Sequence, residues 1–311
     1  MCWSVDDVQA DFGDVQEEVT TAGNLVDRTV QQLLAGTVEE RNKLASSLDA
    51  SVTTVVCTYP LGSLREHTVF QVDSELMYVW DSNTSTKTLT VERGFGGTTA
   101  ATHANGAITI VNPKFPRWQV LQALNDELAD LSSPMNGLFQ MKTVDLSYNG
   151  SDRMVNLAGI STLIDVYDVR WRYLSDDYPV VRNYRLMRNM PTSDFSTGLA
   201  LTLDEDVMSS TIRVIYKDAY TPFASEASTL ASTGAGTELA DLLVLGAQIR
   251  LIAGREIKRN FIVSQGDTRR SDEVPAGAMN ASITNLLRLR RDRIQAEAAR
   301  LNRQYPTRIR K

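Results

Sequence analysis

Histidine and cysteine are scarce in this chain of 311 residues, which has two of each. Cys2 and Cys57 are too few for a disulfide framework. They read as an N-terminal thiol and one small buried hydrophobe. Cys2, Cys57, His67 and His103 show no paired spacing, and a structural zinc site needs a full tetrahedral set of such ligands. No metal and no cofactor are therefore expected. Long apolar runs are missing too. Nothing approaches the ~20 uncharged apolar residues of a membrane helix, and the best run, Leu239 to Ala253, is interrupted by Asp241 and Arg250. The opening Met1-Cys2-Trp3-Ser4-Val5-Asp6-Asp7 has neither a basic stretch nor an apolar core, so no secretory signal is expected. These absences lead to the expectation of a soluble protein made in a cytoplasm, without a membrane anchor.

Catalytic patterns are equally thin. Ser63 near His67 lacks the strand-turn-helix context of a nucleophile elbow. Arg93-Gly94-Phe95-Gly96-Gly97-Thr98-Thr99 has the look of a phosphate loop but not its Gly-Lys-Ser/Thr ending, and no helix follows. It reads as a tight β-turn that uses glycine to reach positive φ. The acidic runs Asp176-Asp177 and Asp204-Glu205-Asp206 fall in expected turns, without calcium-type ligand spacing. No nucleophile–base constellation is present, so no enzymatic activity is expected.

What the chain does have is an ordinary core-forming composition, 42% hydrophobic and 23% charged, at a length that suggests two or three structural units. Its charge is uneven. Ala281 to Lys311 holds nine Arg or Lys and two acids, a local +7, which leaves 23 basic and 36 acidic groups, −13, on the rest. An acidic body with a basic end marks an interaction surface.

The first 45 residues read as helical, with Ser4 and Asp7 as a weak capping box, a partial stripe of Leu25, Val30, Leu33 and Leu34, and interruptions at Gly13, Gly23 and Gly36. From Leu48 the texture turns to short β-rich runs. These are Val52–Cys57, Thr68–Val72, Glu75–Trp80, Thr88–Val91 and Ala107–Val111, and glycine- and asparagine-containing turns separate them. Pro113 and Pro116 open a helix whose Trp118, Leu121, Leu124, Leu128 and Leu131 share one face. Residues 138–217 return to strand texture. There Leu163, Asp165, Tyr167, Val169, Trp171 and Tyr173 alternate with Ile164, Val166, Asp168, Arg170 and Arg172, which reads as an antiparallel, sandwich-like domain. Helices follow over 237–262 and 280–303, and Pro306 ends the last one before a basic tail.

Two regions resemble something known. Val72-Asp73-Ser74-Glu75-Leu76-Met77-Tyr78-Val79, then Leu89 to Ala100 with Arg93-Gly94-Phe95-Gly96-Gly97-Thr98-Thr99, then Thr102-His103-Ala104-Asn105-Gly106-Ala107, resemble a small β-module of tailed-phage neck, tail and baseplate proteins. The residues also have a structural reading of their own. Gly94, Gly96, Gly97 and Gly106 make turns, Arg93 pairs with Asp73 or Glu75, and His103 satisfies a nearby carbonyl. Phe115 to Pro306 is similar in layout to phage head-to-tail adaptors. The resemblance implies a twelve-fold homo-oligomeric ring under the portal protein, joined to a tail tube or nozzle protein, in a virion assembled in the host cytoplasm. Double-stranded DNA would pass transiently through its channel, and the C-terminal segment would dock to the portal.

The expected fold class is therefore α+β, a helical bundle with an inserted antiparallel β-sheet domain and a separate small β-module. The expected units are an N-terminal helical region over 1–47, the β-module over 48–112, an adaptor core over 113–303 and a basic tail over 304–311. The candidate partner-binding residues are Arg288, Arg290, Arg291, Arg293, Arg300, Arg303, Arg308, Arg310 and Lys311. Contact with acidic protein surface is favoured over DNA because the same chain carries an acidic body. Another tail or baseplate component is the main rival. A glycan-binding module built on Trp80, Trp171 and Tyr173 is set aside, because Trp171 and Tyr173 fall on the apolar side of an alternating strand.

Overall fold

The computed structural model of the protein describes residues 20–149, 153–174, 177–205, 207, 209–263 and 276–306, with side chains for all of these except 253–263 and 276–282. The expected capping residues Ser4 and Asp7, and Cys2, lie outside the described residues.

The first β-unit consists of β1 (Arg41–Lys43), β2 (Thr54–Val56), β3 (Val69–Val72), β4 (Glu75–Asn83), β5 (Thr88–Glu92) and β6 (Ile108–Val111). They form one antiparallel sheet in the order β1-β6-β3-β4-β5-β2. Beyond its last residues the two edge strands meet. The Ala45 amide donates to the Val56 carbonyl and the Thr58 amide to the Lys43 carbonyl, both at 2.8 Å, across a Leu44–Cys57 bridge. The sheet is thus curled into a half-barrel. Its inward residues, among them Phe70, Met77, Leu89, Leu44 and Leu64, are fully buried. Cys57 belongs to this core, and burial pushes its thiol up to about 11.

Helices α1 (Ala22–Leu34), α2 (Arg117–Leu131), α3 (Ala240–Val263) and α4 (Ala276–Gln304) make a second layer. Thr21 caps α1 by accepting the Asn24 amide on its hydroxyl at 3.2 Å. Pro116 stands at the N-cap of α2, where its missing amide costs nothing. Leu124, Leu128 and Leu131 of α2 pack with Leu25 and Val26 of α1, Leu242 and Leu243 of α3, and Ile294 and Leu301 of α4.

Between α2 and α3 lie β7 (Gln140–Ser147), β8 (Met154–Asn156), β9 (Leu163–Trp171), β10 (Tyr184–Met187), β11 (Ala200–Leu203) and β12 (Thr211–Asp218). They form two antiparallel sheets, β7-β12-β9 and β10-β11-β8, around a third core of Leu157, Val166, Val169, Leu201, Ile212 and Val214.

The expected helical bundle with an inserted sheet does not hold. Over the described residues the protein is β-rich, with a six-stranded half-barrel and two three-stranded sheets accompanied by four helices. Two of its three cores are enclosed by sheet rather than helix. Long periodic helices announce themselves in a sequence, whereas strands as short as three residues carry too few alternations to register. The stretch read as helical to residue 45 in fact contains β1. Alternation along β9 also fails. Its pairing with β12 slips between Ile215 and Tyr216 and again between Lys217 and Asp218, leaving Tyr167 and Ile164 as extra residues. Each slip flips the following side chains to the other face. Trp171, the last residue of β9, is half-buried against the core, and Tyr173, expected in a core, lies beyond the end of the strand and is 62% exposed.

Candidate partner-binding face and the ion pairs that position it

The turn residues of the β-unit converge on one carboxylate. Glu75 opens β4 directly after the Asp73-Ser74 turn, and Asp73 takes a left-handed φ of 50° there. The Glu75 side chain is 1% exposed. Arg93 grips it with two parallel bonds, Nε to Oε1 and Nη2 to Oε2, each 2.8 Å. The remaining guanidinium protons go to the carbonyls of Asp49, Val52 and Ala101. Glu75 also accepts the Gly94 amide at 3.0 Å and the Ala101 amide at 2.9 Å. His103 stands between two carboxylates, with Nε2 2.9 Å from Glu75 and Nδ1 2.7 Å from Asp73. Burial alone would raise the Glu75 pKa. The bonds from Arg93, Ala101, His103 and Gly94 outweigh it and hold the carboxyl at about 2. Gly94, Gly97 and Gly106 are all at positive φ, and a Cβ at Gly94 would come within 3.0 Å of the Thr98 carbonyl. Of the two partners open to Arg93, it takes Glu75. His103 pairs through its ring with acids, while its backbone bridges Leu48. The cluster thus joins the β3–β4 turn, the 93–103 segment and the loop before β2.

A second buried carboxylate organises the helices. Glu127 of α2 is 1% exposed and meets Arg290 Nε at 2.7 Å and Arg250 Nε at 3.2 Å. Asp130, one turn on, takes the other ends of both arginines. Gly246 makes room for it, because a Cβ there would overlap the Glu127 carboxylate. This network ties α3 and α4 to α2. Arg300, further along α4, pairs with Glu297 and Glu238.

The candidate arginines of α4 therefore divide. Arg290 and Arg300 are engaged within the chain. Arg288, Arg291, Arg293 and Arg303 are exposed and make no ion pair among the described residues. At about 3.6 residues per turn, Arg288 and Arg303 fall on the side of α4 away from the buried Ile294 and Leu301, and Arg291, three residues before Ile294, lies on the flank between. Arg293 instead joins Arg28, Asp241 and Leu289 around a shallow groove between α1, α3 and α4. Arg308, Arg310 and Lys311 lie outside the described residues.

Sequence reasoning missed Glu127 and Gly246, whose partners are far off in the chain. It also missed Arg117, which at the start of α2 pairs with Asp27 of α1 and with Glu226. The Arg117 amide donates to Gln71 of β3 at 3.0 Å, linking the half-barrel to the helices. A cleft of about 400 Å³ beside this junction is lined by Asp27, Arg41, Asp73, Ile108, Arg117 and Glu226. Among the described residues no group of three or more His, Cys, Asp or Glu is placed to hold a metal ion. Nor is any described helix long and apolar enough to cross a membrane. No family model matches the chain, and no curated protein matches it.

Proposed function

We propose that this protein is a structural component of a tailed-phage virion, a head-to-tail adaptor that assembles as a homo-oligomeric ring. It joins the portal to the tail and lines part of the DNA path. The observation that carries the reading is the set of arginines on α4, where Arg288, Arg291 and Arg303 are exposed and make no ion pair among the described residues while Arg290 and Arg300 hold the helix to the body. A helix anchored by one set of arginines and presenting another is suited to an acidic protein surface, since guanidinium groups pair carboxylates bidentately. The β-unit adds its resemblance to modules of phage neck, tail and baseplate proteins, carried by Asp73, Glu75, Arg93, Gly94, Gly97, His103 and Gly106. The fold is β-rich rather than the helical bundle of the expected adaptor layout, so that layout lends no support.

Individual exposed pairs contribute only ~0–1 kcal/mol. Repeated around a ring they act at high effective concentration, which converts weak contacts into firm attachment. The test is the mass and negative-stain symmetry of the purified full chain, followed by co-sedimentation with portal particles from the same phage. A closed ring that sediments with the portal supports the proposal. A chain that stays monomeric beside the portal contradicts it, and co-sedimentation with baseplate or tail-tube assemblies alone would move it elsewhere in the virion.

A further inference from the structure

Strand β7 presents a free edge. It pairs with β12 along all eight residues, from Gln140↔Asp218 to Ser147↔Thr211, and among the described residues has no partner strand on its other side. The parity of the ladder identifies the open groups. The Tyr148 amide donates to the Ser210 carbonyl at 2.9 Å, and the Arg172 amide to the Thr211 carbonyl on the opposite side of β12 at 3.1 Å. Hydrogen-bonding residues alternate along an antiparallel strand. Tyr148, Leu146, Val144, Lys142 and Gln140 therefore bond towards β12, while Met141, Thr143, Asp145 and Ser147 aim their amides and carbonyls outward. No backbone bond to those four outward groups is found among the described residues.

Proline, glycine and a register slip, which blunt many such edges, are absent from β7, and its two charged residues, Lys142 and Asp145, are each paired within the sheet. The other side of the same sheet is managed differently. There β9 carries two slips and is covered by a further bridge, Arg170↔Val180, with the Val181 amide bonded to Val169. Thr143, Asp145 and Ser147 are exposed.

We infer that β7 is a strand-addition interface for a second copy of this chain, the two β7 strands pairing antiparallel about a twofold axis at Val144. The edge is self-complementary. Centred on Val144, Thr143 faces Asp145 of the other copy and Met141 faces Ser147, each exchanging both backbone bonds. Val144 then lies opposite itself, a β-branched pair on the half-buried face. No like charges stand directly opposite. Asp145 is already neutralised by Arg213, Nε to Oδ1 at 2.7 Å and Nη2 to Oδ2 at 2.8 Å, so the two diagonal carboxylates do not repel strongly. Lys142 is likewise held by Asp218 at 2.8 Å. The result is a continuous sheet, β9-β12-β7 joined to its symmetry mate. The contact is twofold, unlike the head-to-tail contacts of a ring, so it goes beyond the function proposed above and is tested separately.

Two variants of the full chain decide it. Thr143→Pro removes an amide the fold does not use, a position where an edge strand tolerates proline. Sedimentation velocity of the wild type is expected to show concentration-dependent dimer. The proline variant is expected to lose it while keeping its thermal melt. Val144→Cys places two thiols across a non-hydrogen-bonded pair about 4.5 Å apart at Cα, within disulfide reach. Mild oxidation is expected to give a covalent dimer that the wild type does not form. Absence of that cross-link in soluble, folded Val144→Cys overturns the inference, whatever the proline variant does. So does a proline variant that folds and self-associates like the wild type. Either result leaves ring formation and portal binding to be judged on their own measurements.

Discussion

Two buried glutamates hold this molecule together, and they differ in instructive ways. Glu75 in the half-barrel and Glu127 in the helical layer are each 1% exposed and each meet an arginine nitrogen at 2.7–2.8 Å. Glu75 is enclosed. Its arginine is only 6% exposed, and two amides and a histidine complete its acceptor sites. Glu127 is open on one side, because Arg250 is 38% exposed and Asp130 shares both of its arginines. The first arrangement is a staple within one unit. The second is a joint between helices, backed by a neighbouring carboxylate.

The largest expected effect is on the staple. Glu75→Gln leaves Arg93 without its charge partner in a dry site, and breaking a buried pair in this way costs ~3–5 kcal/mol. Its denaturant midpoint is expected to fall far below that of Glu127→Gln, where Asp130 still receives Arg290. Equal losses in the two variants would break the comparison.

Acid probes the same difference. The Glu75 carboxyl is held at about 2, against 4.5 for the free group, by bonds that outweigh its burial. A lowered native pKa means that the stabilisation is complete above pH 4.5 and is lost as pH falls towards about 2. The gap corresponds to a stability change of roughly 3 kcal/mol. Wild-type melts are expected to drop through this window, and Glu75→Gln melts to drop less. Parallel acid profiles would contradict the assignment.

A smaller effect is expected at the joint. Gly246→Ala forces the Glu127 carboxylate to move, at a cost of ~1–3 kcal/mol from overpacking, partly offset by alanine's better helix propensity. Adding Glu127→Ala to Gly246→Ala is expected to cost less than the sum of the two alone, since the overlap then disappears. Strict additivity in denaturant titrations would remove Gly246 from the network.

How legible these features were follows from sequence distance. Asp73, Glu75, Arg93 and His103 lie within 31 residues and are punctuated by glycines, so their convergence was readable although the partner of Arg93 was not. Glu127 is 123 residues from Arg250 and 163 from Arg290, and no local period connects them. The long helices α3 and α4 were readable from apolar spacing. The three-residue strands and the slips within β9 were not, because one extra residue reverses a two-residue alternation, and neither was the end of β9 at Trp171, which leaves Tyr173 outside the strand. The basic end of the chain was visible as a charge total. Which arginines are free and which are anchors depended on Glu127, Asp130 and Glu238 arriving from elsewhere.

That division gives the most direct test of the proposed role. Tyr305 packs against Phe139 and Tyr167, so truncation is a poor probe unless it begins beyond Pro306. Point substitution is cleaner. Arg288→Ala, Arg291→Ala and Arg303→Ala together touch exposed side chains, each expected to shift stability by no more than ~0.5 kcal/mol. The measurement is co-sedimentation of this triple variant with portal particles over a series of salt concentrations, beside its thermal melt. The account predicts an unchanged melt with attachment lost at a salt concentration that the wild type withstands. Undiminished attachment by the folded triple variant would contradict it.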